Sequence, residues 1–201
     1  MNKMKLLLHQ CCAPCSIYPL KILKNNHFEI YGFFYNPNIH PVEEFYKRLE
    51  NVWYFNSIEG IKTIVDETYG LKEFAQNVVY RESKRCNYCY YMRIEKTVKI
   101  AKNGNFDAFT TTLLYSKYQN HQLIIDICEN LSYKYKIDFF YYDFREGWNE
   151  GIEKSKELKL YRQQYCGCIY SEEERYKKQL SRRFNKLKEI QSSEVNNEPI
   201  K

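Results

Sequence analysis

The chain has 201 residues, enough for one domain with a sizeable core. It carries 31 Lys and Arg against 25 Asp and Glu, a formal charge of +6, together with 20 Tyr and 12 Phe. That balance is compatible with RNA, since cations neutralise phosphates and aromatic faces stack on unpaired bases, whereas the lack of any long uncharged apolar stretch leaves no candidate membrane span.

Basic Met1-Asn2-Lys3-Met4-Lys5 opens the chain, but the short apolar run that follows leads into Cys11 rather than a small-residue cleavage site, so a cytoplasmic protein is expected. The run Met4 to Leu8 reads as a buried strand. Pro14 cannot continue a ladder, so the strand ends within Leu7-Leu8-His9-Gln10-Cys11-Cys12-Ala13-Pro14-Cys15 and the thiols are expected in a loop. Neighbouring side chains of an extended strand point to opposite faces, so Cys11 and Cys12 reach one metal only if the backbone turns, which Ala13-Pro14 allows. Ser16 to Asn26 puts Ile17, Leu20 and Leu23 on one helical face, with Ser16 as candidate cap. Glu29 to Tyr35 is a second strand, closed by Asn36-Pro37-Asn38. Strand, helix and strand joined by a short crossover begin a parallel α/β sheet.

Pro41 followed by Val42-Glu43-Glu44 suits a helix start, and that helix runs to about Ser57. Ile61 to Val65 is a third strand and Leu71 to Tyr80 a helix. From Cys86 to Lys102 the pattern is helical, which puts Cys86 and Cys89 at a helix N-terminus, where free N–H groups stabilise thiolates; Arg85 and Arg93 add positive charge. Phe106 to Leu113 is a fourth strand, followed by a helix from His121 to Tyr133. Ligands of open α/β sheets bind beyond the carboxyl ends of strands, so Ser116, Lys117 and Gln119 are candidate ligand-side residues; capping by Ser116 or Asn120 is the alternative. Cys128 shares an apolar stripe with Leu123, Ile124, Ile127 and Leu131 and reads as core. Ile137 to Tyr142 is a fifth strand, Glu150 to Leu158 a helix, and Glu172 to about Ile190 a charged helix. The expected organisation is one domain over residues 1–185 with a helical C-terminal subregion, and a disordered tail over 186–201.

Seven of the eight cysteines fall in three groups: Cys11, Cys12 and Cys15; Cys86 and Cys89; Cys166 and Cys168. In a reducing compartment such groups bind metal or do redox chemistry rather than staple a fold. Four thiolates satisfy either zinc or an iron–sulfur cluster. Zinc ribbons bring two Cys-x-x-Cys knuckles where this chain has one, so the spacing leans to iron–sulfur. Around Gly167 the sulfurs of Cys166 and Cys168 can approach as a redox-active pair, or add metal ligands if the loop folds over a cluster. His9 is placed either to tune a sulfur or simply to be hydrogen-bonded.

Leu8-His9-Gln10-Cys11-Cys12-Ala13-Pro14-Cys15, Cys86-x-x-Cys89-Tyr90, Thr111-Thr112-Leu113-Leu114-Tyr115-Ser116, and above all Ser155-Lys156-Glu157 through Tyr161-Arg162-Gln163-Gln164-Tyr165-Cys166-Gly167-Cys168-Ile169-Tyr170-Ser171 resemble the QueH family of epoxyqueuosine reductases. The resemblance runs from about Leu6 to Ser171. It implies two-electron removal of the epoxide oxygen from epoxyqueuosine at the wobble position of a tRNA, the last step of queuosine synthesis. It implies a [4Fe-4S] cluster on Cys11, Cys12, Cys86 and Cys89, with Cys166 and Cys168 as the redox-active pair and an electron donor it does not name. Other members of the family carry Asp in place of Cys15; either residue ligates metal, which leaves room for an additional mononuclear iron. The family is also similar to the adenine-nucleotide-binding α/β enzymes that modify tRNA, which implies a mainly parallel, Rossmann-like (adenine nucleotide alpha hydrolase-like) sheet. No Ser-Gly-Gly run follows the first strand to cradle pyrophosphate, and the resemblance implies a cluster where those enzymes hold nucleotide. Within this reading Tyr165 or the Cys166/Cys168 pair is the acid, and Lys117, Arg145 and Arg162 face the tRNA. Two other readings use the same residues: a zinc-stabilised RNA-binding module, and a thiol–disulfide oxidoreductase that needs no metal.

Overall fold

Leu6, Leu7 and Leu8 are all fully buried, which requires cover on both faces of the strand that carries them. In the computed structural model, which describes residues 3–195, that strand is β1 (Lys5–His9), at the centre of a five-stranded sheet. β2 (Glu29–Phe34), β3 (Lys62–Val65), β4 (Ala108–Thr111) and β5 (Asp138–Phe139) complete it. All pairings are parallel and the order is β3-β2-β1-β4-β5. Alternation along β1 divides the core: Leu6 and Leu8 pack with Leu20, Leu23 and Phe55, whereas Leu7 packs with Ile94, Val98 and Ile127. The helices that supply these residues are α1 (Ala13–Asn25) and α2 (Val42–Ile58) on one face, α4 (Arg85–Asn103) and α5 (His121–Tyr135) on the other. Cys128 is fully buried among the α5 residues, as its apolar stripe predicts.

β1 pairs with β2 on one side and with β4 on the other, so the chain's progress across the sheet reverses at β1. Such a switch point opens a crevice beyond the carboxyl ends of β1 and β4. The remaining helices are α3 (Leu71–Val78), α6 (Trp148–Glu157) and α7 (Ile169–Val195). Among the described residues no helix is long and apolar enough to cross a membrane.

Several element boundaries differ from the sequence expectation. The helix expected from Ser16 begins at Ala13, so Cys12 is its N-cap residue and Cys15 lies in its first turn rather than in a loop. Pro14 explains this: it ends a strand, but within the first turn of a helix its missing N–H costs nothing. Ser16 is inside the helix, its hydroxyl donating to the Cys12 carbonyl at 2.9 Å. The fourth strand stops at Thr111, whose Oγ1 accepts from Leu113 N and turns the chain into a 3-10 segment, Thr112–Tyr115. β5 is only two residues long. α3 ends at Val78, ahead of Tyr80 with its φ of 61°. α7 starts at Ile169, three residues before the expected Glu172, and continues through Val195, since no Gly or Pro interrupts it. Residues 186–195 are therefore helical where a disordered tail is expected; the rest of that tail lies outside the described residues.

Gly32 of β2 faces the side-chain amides of Gln10 and Asn56, which bond each other reciprocally at 2.9 and 2.7 Å beneath the cysteine turn. A Cβ at Gly32 would lie 2.2 Å from Gln10 Oε1 and 2.6 Å from Asn56 Nδ2. Gly32→Ala should lower stability by about 1–3 kcal/mol in urea denaturation; an unchanged midpoint would show that the amide pair does not constrain this turn.

Candidate metal centre and active site

Three hydrogen bonds fix the end of β1 before the cysteines begin. Gln10 N donates to Phe33 O (2.8 Å), Asn36 Nδ2 donates to Gln10 O (2.9 Å), and Cys11 N donates to Thr112 Oγ1 (3.0 Å), tying β1 to the end of β4. From Cys11 the chain turns straight into α1. The sulfurs of Cys11, Cys12 and Cys15 consequently lie within 4.8 Å of one another, the one such convergence of His, Cys, Asp or Glu ligand atoms among the described residues. The Cys11 and Cys12 sulfurs are 3.8 Å apart.

Sulfurs this close in a largely buried site cannot all ionise without compensation. Hydrogen bonds from Cys12 and Cys15, helped by Thr112, hold Cys11 well below the ordinary thiol range. Burial pushes Cys12 up, and donation to Cys11 pushes Cys15 up. Donors surround the group: Thr112 Oγ1 lies 3.3 Å from Cys11 Sγ, and Gln163 Nε2 lies 2.9 Å from Cys12 Sγ and 3.6 Å from Cys15 Sγ.

Cys86 and Cys89, in the first turns of α4, do not belong to that convergence. They neighbour Cys166 and Cys168 instead. Burial pushes the Cys89 thiol up to about 12; Arg93 opposes the rise, while the charges of Cys166, Cys168 and Cys86 add to it. Cys89 and Cys168 pack with Phe74 and Val78, whereas Cys166 is exposed and accepts a hydrogen bond from Gln119 Nε2 at 3.2 Å. Gln119 Oε1 in turn accepts from the Tyr90 hydroxyl at 2.6 Å. Gly167, at φ 140°, gives the loop a conformation closed to other residues. All eight cysteines carry free thiols.

Two buried arginines link these sulfurs to the scaffold. Arg93 Nη2 donates to Cys89 Sγ (3.0 Å) and Nη1 to Asn36 Oδ1 (3.4 Å). Burial works against its charge, but Cys89, Cys166 and Cys11 more than offset that, so both sulfur groups act electrostatically on the guanidinium. Arg48, paired with Glu44, donates from Nη1 to the Cys166 carbonyl (2.8 Å) and from Nη2 to the Tyr165 carbonyl (3.0 Å).

The other sequence candidates are more scattered. Tyr165 gives its hydroxyl proton to the His40 carbonyl at 2.5 Å, and burial raises its pKa. Ser116 Oγ accepts from Tyr118 N within a turn, and Lys117 lies over the Trp148 ring at 5.8 Å. Arg145 is paired with Asp143 at 2.6 Å, while Arg162 is exposed. His9 bonds the Tyr35 carbonyl through Nε2 (3.2 Å) and Thr111 Oγ1 through Nδ1 (2.9 Å) rather than a sulfur. A carbonyl only accepts, so Nε2 carries the proton; burial, then Arg93, lowers the pKa to about 4 and keeps the ring neutral. Sequence reasoning did not single out Arg48, Gln163 or Thr112 as functional. Gln163 and Thr112 lie inside the motifs that carried the resemblance, which was the available signal.

The family model described as epoxyqueuosine reductase QueH matches residues 6–174 of the chain. The chain belongs to the QueH family. A protein of that name from Dehalococcoides mccartyi is 37% identical over 174 residues, covering 87% of this chain and 96% of its own length. Its Thermotoga maritima counterpart is 36% identical over 186 residues, covering 86% of this chain and 92% of that protein. Among solved structures, a predicted subunit of a tRNA methyltransferase from Methanocaldococcus jannaschii is similar at a TM-score of 0.55 and 13% identity. That likeness covers 77% of this chain and 75% of the other, and it supports the α/β fold alone.

The three-cysteine group in this QueH chain has the donor set of a metal centre. Thiolates ligate soft and borderline metals, and side-chain donors aimed at sulfur accommodate the electron density of a metal-bound thiolate. Gln163→Leu removes the donor shared by Cys12 and Cys15 and should weaken metal affinity about 10- to 100-fold in chelator competition. Cys128→Ala, confined to the core, should leave metal content unchanged. Equal affinity for Gln163→Leu and wild type would mean that Gln163 does not support the centre.

Proposed function

We propose that the chain reduces epoxyqueuosine to queuosine in tRNA, with an iron–sulfur centre at the switch point of its sheet. The observation that carries this reading is the convergence of half-buried Cys11 with buried Cys12 and Cys15 in a chain of the QueH family. Removing the epoxide oxygen as water consumes two electrons and two protons and leaves a carbon–carbon double bond. Cys11, Cys12, Cys86 and Cys89 would hold a [4Fe-4S] cluster, and Cys15 an additional mononuclear iron. Bound there, iron supplies one-electron transfer and a Lewis acid for the epoxide oxygen.

The chain's own groups do the rest. Closing a disulfide between Cys166 and Cys168 releases two electrons and two protons, the amount one epoxide consumes, and an external donor then reopens it. Gln119 orients the Cys166 thiol, and Arg48 fixes the backbone on either side of the Tyr165–Cys166 bond. Proton delivery falls to Cys166, because the Tyr165 hydroxyl is already committed to His40. Exposed Lys117 and Arg162, with Ser116 and Arg145, would meet the substrate. A cytoplasmic location belongs to the same proposal.

Anaerobic purification with iron, sulfide and zinc analysis, followed by turnover of epoxyqueuosine-bearing tRNA, tests this. Cys12→Ala should lose iron, colour and turnover together. Cys166→Ser should keep iron and colour while turnover falls roughly 100-fold or more. Zinc alone in the wild-type chain would favour a zinc-stabilised RNA-binding module, and chelator-resistant disulfide exchange without iron a thiol–disulfide oxidoreductase. Loss of iron from Cys166→Ser would make Cys166 a metal ligand instead.

A further inference from the structure

The family match ends at residue 174, and the next fourteen residues hold the densest charge in the chain. Arg175, Lys177, Lys178, Arg182, Arg183, Lys186 and Lys188 carry seven positive charges with no Asp or Glu among them. Outside this run, 24 Lys and Arg face 25 Asp and Glu, so the excess charge of the whole protein resides here. All of it lies on α7. At helical spacing Arg175, Lys178, Arg182 and Lys186 fall within an arc of about 80°, opposite Tyr176, Leu180, Phe184 and Leu187. All seven cations are exposed, and none makes an ion pair among the described residues; on this helix only Glu174 does, with Arg85.

α7 is anchored at its N-terminal end. Glu174 binds Arg85 at 2.6 Å, Arg85 lies over the Tyr170 ring at 5.7 Å, and Tyr165 meets Tyr176 edge-on at 6.2 Å. Arg85 is the first residue of α4, next to Cys86, and α7 itself begins one residue after Cys168. The cationic ridge therefore extends from the thiols for about 20 Å of helix.

We propose that residues 175–188 form a docking helix for the phosphate backbone of the tRNA substrate, an inference that rests on the reading of tRNA as substrate. A second copy laid against this acid-free ridge would set cations against cations in either orientation. A polyanion gains from every phosphate it neutralises through release of counterions. The chain's affinity for RNA is thus concentrated outside the sulfur site, while the anchoring of α7 holds the bound RNA beside Cys86 and Cys166.

The test measures affinity of the full chain for an unmodified tRNA transcript across a series of KCl concentrations. The R175Q/K178Q/R182Q/K186Q variant should flatten the slope of log K against log salt by about 3 and lower low-salt affinity about tenfold or more. Far-UV circular dichroism confirms that the exposed substitutions leave the helix folded, and kcat/KM on epoxyqueuosine-bearing tRNA should fall in step with affinity. A control variant, K72Q/K102Q/K136Q/K159Q, removes equal charge elsewhere and should leave the slope near that of wild type. An unchanged slope in the α7 variant, or an equal change in both, would overturn the docking helix. An unmoved slope with lost binding to anionic phosphatidylserine vesicles, or with a dissociated dimer, would overturn it too and assign α7 to a lipid surface or a second copy. Absence of wild-type turnover would instead refute the reductase reading, whatever the slope.

Discussion

Thiols within 4.8 Å of one another, two of the three buried, cannot share negative charge unless a cation or strong hydrogen-bond donors lie beside them. The architecture around Cys11, Cys12 and Cys15 answers that constraint. The reversal of strand order at β1 opens a crevice where helix N-termini and side-chain donors can be aimed. Thr112 comes from the end of β4 and Gln163 from the loop after α6, so two distant segments converge on three sulfurs.

Arg93 shows the same constraint from the cationic side. It is fully buried and makes no ion pair with a carboxylate among the described residues; its partners are the Cys89 sulfur, the Cys89 carbonyl and Asn36. A buried guanidinium with no carboxylate demands other negative charge. The Cys89 thiol, held up to about 12 by burial, supplies it poorly by itself, whereas a coordinating metal ion deprotonates such a thiol outright. A metal held by these sulfurs, as proposed above, would supply the negative charge that Arg93 otherwise lacks.

Much of this was legible in the chain. The Leu6–Leu8 run and its two-sided burial, the short crossover to Glu29, and the apolar stripe around Cys128 follow from period and spacing, which depend on near neighbours. Pro14 misled because one residue satisfies two local rules, ending a strand and starting a helix, and only tertiary context chooses. The contacts of Arg48 and Gln163 were not legible for a different reason: their partners lie more than a hundred positions away, and nothing in the intervening sequence records the contact. β5 illustrates the reverse case, an apolar pattern six residues long of which the edge of the sheet pairs only two.

Iron K-edge X-ray absorption on the anaerobically purified chain bears most directly on the claim that this thiol site is an iron–sulfur centre. The account predicts an iron coordination shell dominated by sulfur, with a second shell of iron at cluster distance. Iron bound mainly by nitrogen and oxygen, or a chain that takes up zinc and no iron, would contradict it.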